Sequence, residues 1–224
     1  MGLVYLVSVF IAASILIETI GVWFRLIGAV NRQSALGYSS HVRVATLGRF
    51  FILIAAPVLG SFTDRGEASS VVALIGLLVF TIVMFGLLAN LKIKSSGFAL
   101  YVYMKINSVH AHFDVSQFER KRKSSNKVIF ASMFSFLLTA SGILVVNFIA
   151  ALLPEQRGMI VQMSALVTMF GTIMHAFYID PLLARSCDND MHLAWGVVGD
   201  FILGRLYASG FLILTFGFLV VYLG

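Results

Sequence analysis

The most informative residue for chemistry in this chain is an arginine inside an apolar run. In RVATLGRFFILIAAPVLGSF, residues 43 to 62, Arg43 stands at the start and Arg49 lies nearly a third of the way in. A guanidinium at mid-bilayer costs roughly 2.5 to 3.5 kcal/mol, so it calls for a nearby partner and marks a functional position. The other ionisable residues in apolar stretches are Glu18, Arg25, His41, His175, Asp180, Asp200 and Arg205. Arg25 and Arg43 lie where long side chains can snorkel to headgroups. The deep set is Arg49 and Arg205 against Glu18, with Asp200 shallower. Guanidinium forks match phosphate oxygens bidentately, and none of the apolar stretches contains a lysine, which favours an anionic, phosphate-bearing ligand over a cation.

Helical spacing groups these residues with smaller polar ones, because positions three, four and seven apart share a face. Ser14, Glu18, Gly21, Arg25 and Gly28 form one stripe. Ser164, Thr168, Gly171, Thr172 and His175 form another, and Ser132, Ser135 and Thr139 a third. Such stripes face protein or a water-filled cavity, since lipid offers them no partners. For the hydroxylated residues, close helix packing explains the pattern without any cavity. For Glu18, Arg49 and Arg205 it does not, because packing alone calls for no charge at that depth.

The elements that position these residues follow from composition. With 59% apolar and 12% charged residues, the chain is an integral membrane protein rather than a soluble domain. A hydrocarbon core about 30 Å thick needs about 20 apolar residues at 1.5 Å each. Six stretches meet that length, at about 3–28, 38–62, 69–91, 128–153, 159–184 and 197–222, by the same criterion. None alternates with period two as a barrel strand would. The expected fold is therefore all-α: a polytopic integral membrane protein, one transmembrane domain over residues 1–224 with six transmembrane helices. The first stretch lacks a charged n-region and contains Glu18, so it reads as a retained helix rather than a signal peptide. Pro57, inside the second span, removes a helical hydrogen bond and predicts a bend at residues 53–57.

Eight of the sixteen Lys and Arg residues fall between 92 and 127, so this basic loop between the third and fourth helices is expected to be cytoplasmic. Both termini are then outside, and every intramembrane charge lies between the bilayer middle and its cytoplasmic side. A polar cavity walled by helices one, two, five and six and opening inward is expected. The loop joins an aromatic half, with Phe98, Tyr101 and Tyr103, to a basic run at residues 120–123. It reads either as an interfacial helix held to anionic lipid or as a solvated connector. His110 and His112, two apart with no third ligand nearby, read as surface histidines. Cys187 is the only cysteine, which leaves no intramolecular disulfide.

The runs IETIGVWFRLIGAV, LGRFFILIAAPVLGSFTD, SALVTMFGTIMHAFYIDP and LGRLYASGFLIL, in this order and spacing, resemble the Amj-type lipid II flippases, the alternate flippases of bacterial peptidoglycan synthesis. The resemblance spans nearly the whole chain. By it, Glu18, Thr19, Arg25 and Gly28 look like the family's Glu-Thr and Arg-x-x-Gly positions. Arg49, Pro57, Gly60 and Asp64 look like its second-helix motif, Thr172, Asp180 and Pro181 like its fifth, and Gly204 and Arg205 like its last. Where the family's second helix carries Ser-Arg-x-x-Asn and a glutamine near the proline, this chain has Gly48, Ile52 and Ala55. Ser164-Ala165 and Met169-Phe170 replace a Ser-Gly and an Asn-Gly. The arginines persist while amides suited to a sugar or peptide are lost, which leaves the headgroup open.

The resemblance implies a transporter in the bacterial cytoplasmic (inner) membrane that flips an undecaprenyl-diphosphate-linked cell-wall precursor, lipid II or a related lipid-linked saccharide, to the outer leaflet. The expected substrate-binding residues are Glu18, Arg25, Arg49, His175, Asp200 and Arg205, with no catalytic residue, metal or cofactor. Before substrate binds, Arg49 is expected to pair with Glu18 or a helix carbonyl. The expected partners are the lipid substrate and membrane lipids, with no nucleic acid, and a homodimer because six helices are few for a glycolipid cavity. Two other classes stay open: a membrane-embedded enzyme acting on a lipid phosphate, with His175 and Asp180 or Asp200 as its acid-base pair, and a proton-coupled small-solute transporter built on Glu18 and His175.

Overall fold

A computed structural model describes residues 2–64, 69–91, 94–113, 125–189 and 191–223. The basic run at 120–123 and Arg65 lie outside the described residues. The chain is an all-α polytopic membrane protein. Five helices are long and apolar enough to cross a membrane, and a sixth crosses when the two segments of one bent helix are taken as a single span. The spanning helices are α1 (Gly2–Val30), α2 (Ser34–Asp64), α3 (Ser69–Leu91) and α5 (Asn126–Leu152), then α6 (Arg157–Met174) with the segments that continue it, and α8 (Met191–Leu223). A π-helical turn, His175–Ile179, and α7 (Asp180–Asn189) continue α6. The short α4 (Lys94–Asn107) lies in the loop between the third and fourth spans. Most helices run a few residues past the expected bounds, because each added residue satisfies its own backbone groups within the helix.

Helix α3 packs on both α8 and α1. Helix α3 has no charged residue, and its glycines are notches for neighbours: a Cβ on Gly76 would meet the Phe216 ring at 2.5 Å, and one on Gly86 would meet Leu16 at 2.5 Å. Phe80 stacks on Phe216 at 5.8 Å and meets Phe136 edge-on at 6.4 Å, joining α3, α5 and α8 in one aromatic core. On one flank α2 packs against α1. These two helices touch at Gly28 and Gly37, where either side chain would strike the other backbone, and the turn between them is closed by Arg32 at φ 56°.

On the other flank α6 packs against α5. Ser135 donates to the Gly171 carbonyl at 2.9 Å, and Ser132 donates to the Phe201 carbonyl of α8 at 2.7 Å. A Cβ on Gly142 would meet Thr168 and the Ser164 carbonyl. Helix packing thus accounts for the hydroxyl stripes of the fourth and fifth spans, apart from Thr172, which is exposed and bonds its own helix at the Thr168 carbonyl. The helix α2 continues through Pro57 without a break. A 42° bend lies in α5, between Asn126–Ala140 and Gly142–Leu152.

The loop's first half is the amphipathic α4. Tyr103 was expected among the lipid anchors, but it is buried in protein, 5.9 Å from the Phe24 ring. Asn107 donates to Ser40 at 2.8 Å, tying α4 to α2. Phe98 and Tyr101 remain exposed, with the Lys105 ammonium 5.9 Å from the Tyr101 ring. That face suits an interfacial helix better than a solvated connector.

Candidate functional site

The structure draws charges from four spans into one cluster. Arg205 on α8 is buried, and it spends both terminal nitrogens on α1: Nη2 donates to Glu18 Oε1 at 2.6 Å and Nη1 donates to Thr19 Oγ1 at 2.7 Å. Its guanidinium also lies 4.5 Å from the Phe201 ring and 5.5 Å from Phe136. An arginine is suited to this site because its planar fork bonds edgewise while its faces lie on aromatic rings. The Glu18 side chain is 45% exposed and Arg205 only 6%. The carboxylate is therefore partly exposed, while the guanidinium behind it is not.

Two turns further along α1, Arg25 is also buried. Its Nη2 lies 2.9 Å from Asp180 Oδ1, and its guanidinium lies 4.7 Å from the Tyr38 ring of α2. The same Asp180 oxygen is 3.4 Å from His175 Nε2. In a straight α-helix residues five apart diverge by about 140°, so His175 and Asp180 would not meet. The π-helical turn brings them together: the Asp180 amide bonds the His175 carbonyl, an i to i+5 contact that stacks one residue over the other. Pro181 supplies the local reason. It has no N–H, and its ring crowds the carbonyl four residues back, so the helix widens one turn before it.

His41 on α2 completes the cluster. It is buried against α1, where Gly21 makes room: a Cβ there would stand 3.0 Å from His41 Nδ1. Both His41 and His175 are close enough to Glu18 to interact with it electrostatically. The cluster thus holds two arginines, two carboxylates and two histidines. Its charges balance when both histidines are neutral, and an incoming anion would compete with Glu18 and Asp180 for the arginines.

Among the expected substrate-binding residues, Glu18, Arg25, His175 and Arg205 come together. Asp200 does not join them. It is fully buried and accepts the Ser125 backbone N–H at the start of α5, where a carboxylate is favoured by the helix N-terminus. The expected pairing of Arg49 with Glu18 is also corrected, since Arg205 occupies Glu18. Arg49 is exposed and has no hydrogen bond or ion pair among the described residues. The reason is register. Gly48 of α2 packs against the Ser14 carbonyl and Gly21 packs against His41, so Arg49 sits about five residues along α1 from Glu18, roughly 7 Å toward the N-terminal end of α1.

His41 and Asp180 are not among the expected substrate-binding residues, although Asp180 is a family position and a candidate acid-base partner of His175. The available signal for Asp180 was the proline that follows it. For His41 it was the glycine on the facing helix, and that signal needs the pairing of α1 with α2 to be known.

The family model described as "Amj: Alternate to MurJ" matches residues 99–194. The match covers His175 and Asp180 and supports the resemblance to that family. No curated protein and no solved structure matches the chain.

Proposed function

We propose that this chain, similar over residues 99–194 to the family named as the alternate to MurJ, moves the headgroup of an undecaprenyl-diphosphate-linked cell-wall precursor from the inner to the outer leaflet of the bacterial cytoplasmic membrane. The observation that carries this reading is the pair of buried arginines, Arg25 and Arg205, each held by one carboxylate inside the bundle. Each ion pair keeps a guanidinium in place without substrate. Each can be exchanged for a phosphate oxygen, which a guanidinium binds with the same forked geometry. Arg49 offers a third cation on the same route. In this reading the isoprenoid chain stays in lipid, because carrying a diphosphate through hydrocarbon unaided is prohibitive. The basic loop faces the cytoplasm, and an outside-positive potential favours outward movement of the anion, at about 2.3 kcal/mol per charge per 100 mV.

The test is reconstitution in vesicles with a headgroup-labelled undecaprenyl-diphosphate lipid, read by accessibility of the label to an impermeant reagent. Transbilayer movement of chemically unchanged lipid, lost in Arg205→Gln, is the expected result. Chemical conversion of the lipid would make the protein an enzyme, and no movement with no conversion would remove both readings.

A further inference from the structure

The two outer helices, α2 and α6, stand on opposite flanks of the bundle, one packed on α1 and the other on α5, and among the described residues they share no extended packed interface. The gap between them is bracketed at both ends. Toward the cytoplasm, Tyr38 of α2 meets Arg25, which pairs with Asp180 beyond α6. At the other end, Thr63 of α2 donates to Asn147 of α5 at 3.5 Å. Tyr38 and Thr63 therefore mark the edge of α2 that faces the gap. Arg49 is three turns from Tyr38 and lies on that same edge, as do Ala45 and Ala56, whereas Leu47 points the opposite way.

From these relations we infer that the gap between α2 and α6 is a lateral entry for a lipid that carries an anionic diphosphate, with Arg49 as the cation that receives it from the bilayer. Arg49 is exposed near the middle of a membrane helix, has no counter-ion among the described residues and sits at a depth where a bare charge is costly. A water-soluble anion reaching it has to pass the Arg25–Asp180 bridge or the Thr63–Asn147 contact. An anion tethered to a hydrocarbon chain does not, since its chain remains in the bilayer while its headgroup enters sideways. Once inside, the headgroup finds Glu18, exposed toward the opening, and behind it Arg205, roughly 7 Å from the level of Arg49. The identity of the lipid rests on the proposed flipping reading; the lateral route does not.

The experiment uses the full chain in phosphatidylcholine nanodiscs with a photoactivatable undecaprenyl diphosphate as probe, and it measures crosslinked protein. Ala45→Trp narrows the gap, Arg49→Gln removes the cation without touching a packed surface, and Leu47→Trp adds the same bulk on the far side. Crosslinking is expected to fall tenfold or more in Ala45→Trp and Arg49→Gln and to stay within twofold in Leu47→Trp, with excess inorganic pyrophosphate leaving the wild-type signal unchanged. Equal loss in Leu47→Trp and Ala45→Trp, an undiminished signal in Arg49→Gln, or full competition by pyrophosphate overturns the lateral route. Equal competition by phosphatidylglycerol overturns the assignment of the site to a diphosphate lipid. Normal crosslinking in a protein that moves no lipid in vesicles leaves the entry standing and removes the flipping reading.

Discussion

Arg205 and Glu18 are 187 residues apart in the chain and form a 2.6 Å ion pair that joins the last span to the first. The same guanidinium reaches Thr19, so both partners come from one turn of α1. An ammonium cannot reproduce this fork. Arg205→Lys is expected to lower stability by about 1–2 kcal/mol and transport about tenfold, and Glu18→Gln, which leaves the buried guanidinium without its counter-ion, is expected to lower stability at least as much. Thermal unfolding in detergent and the vesicle assay measure the two effects. A clearly smaller stability loss in Glu18→Gln than in Arg205→Lys would show that fork geometry, not charge, holds the pair.

Arg25 and Asp180 should be energetically coupled. In a double-mutant cycle with Arg25→Gln and Asp180→Asn, denaturant unfolding is expected to give an interaction energy of about 1 kcal/mol or more, because removing either partner leaves the other charge without its counter-ion. Simple additivity would mean that the 2.9 Å contact contributes nothing.

Arg49 predicts a dissociation of function from stability. Since it is exposed and unpaired among the described residues, Arg49→Gln should leave the unfolding midpoint unchanged while abolishing headgroup translocation. Arg49→Lys should be impaired as well, through loss of the planar fork. A large drop in stability in Arg49→Gln would assign the residue to the scaffold.

Asp200 predicts the opposite behaviour. Asp200→Ala removes a buried acceptor from the Ser125 N–H and is expected to lower stability by about 1–3 kcal/mol, with transport by the remaining folded protein retained. Undiminished stability with lost transport would return Asp200 to the substrate site.

Two glycines of α8 separate packing from propensity. A Cβ on Gly204 would stand 2.4 Å from the Ile129 carbonyl and 2.9 Å from the Met133 amide, backbone atoms that cannot turn aside. Gly204→Ala should therefore force α5 and α8 apart and cost about 1–3 kcal/mol. Gly210 meets nothing within 4 Å, so Gly210→Ala should be neutral or stabilising by up to about 1 kcal/mol. Thermal unfolding of both variants checks the contrast.

The membrane-spanning helices were legible in the sequence because a bilayer imposes a length and an apolar composition on each span separately, and both are local properties. The same locality marked Glu18, Arg25, His175 and Arg205 as unusual, since a charge in an apolar run is costly whatever surrounds it. Which charge meets which was decided only by the tertiary structure. Spacing along one helix does not fix its rotation against another, so depth alone made Arg49 the expected partner of Glu18, whereas the glycine contacts of α1 with α2 set a register that leaves Glu18 to Arg205. Whether His175 meets Asp180 or Asp200 was left open for a related reason: the regular period places His175 and Asp180 on different faces, and the π-helical turn before Pro181 changes that period. Asp200 looked like a binding carboxylate because its depth was readable, while its partner, the amide of Ser125 just before α5, became visible only once two distant helices were brought together.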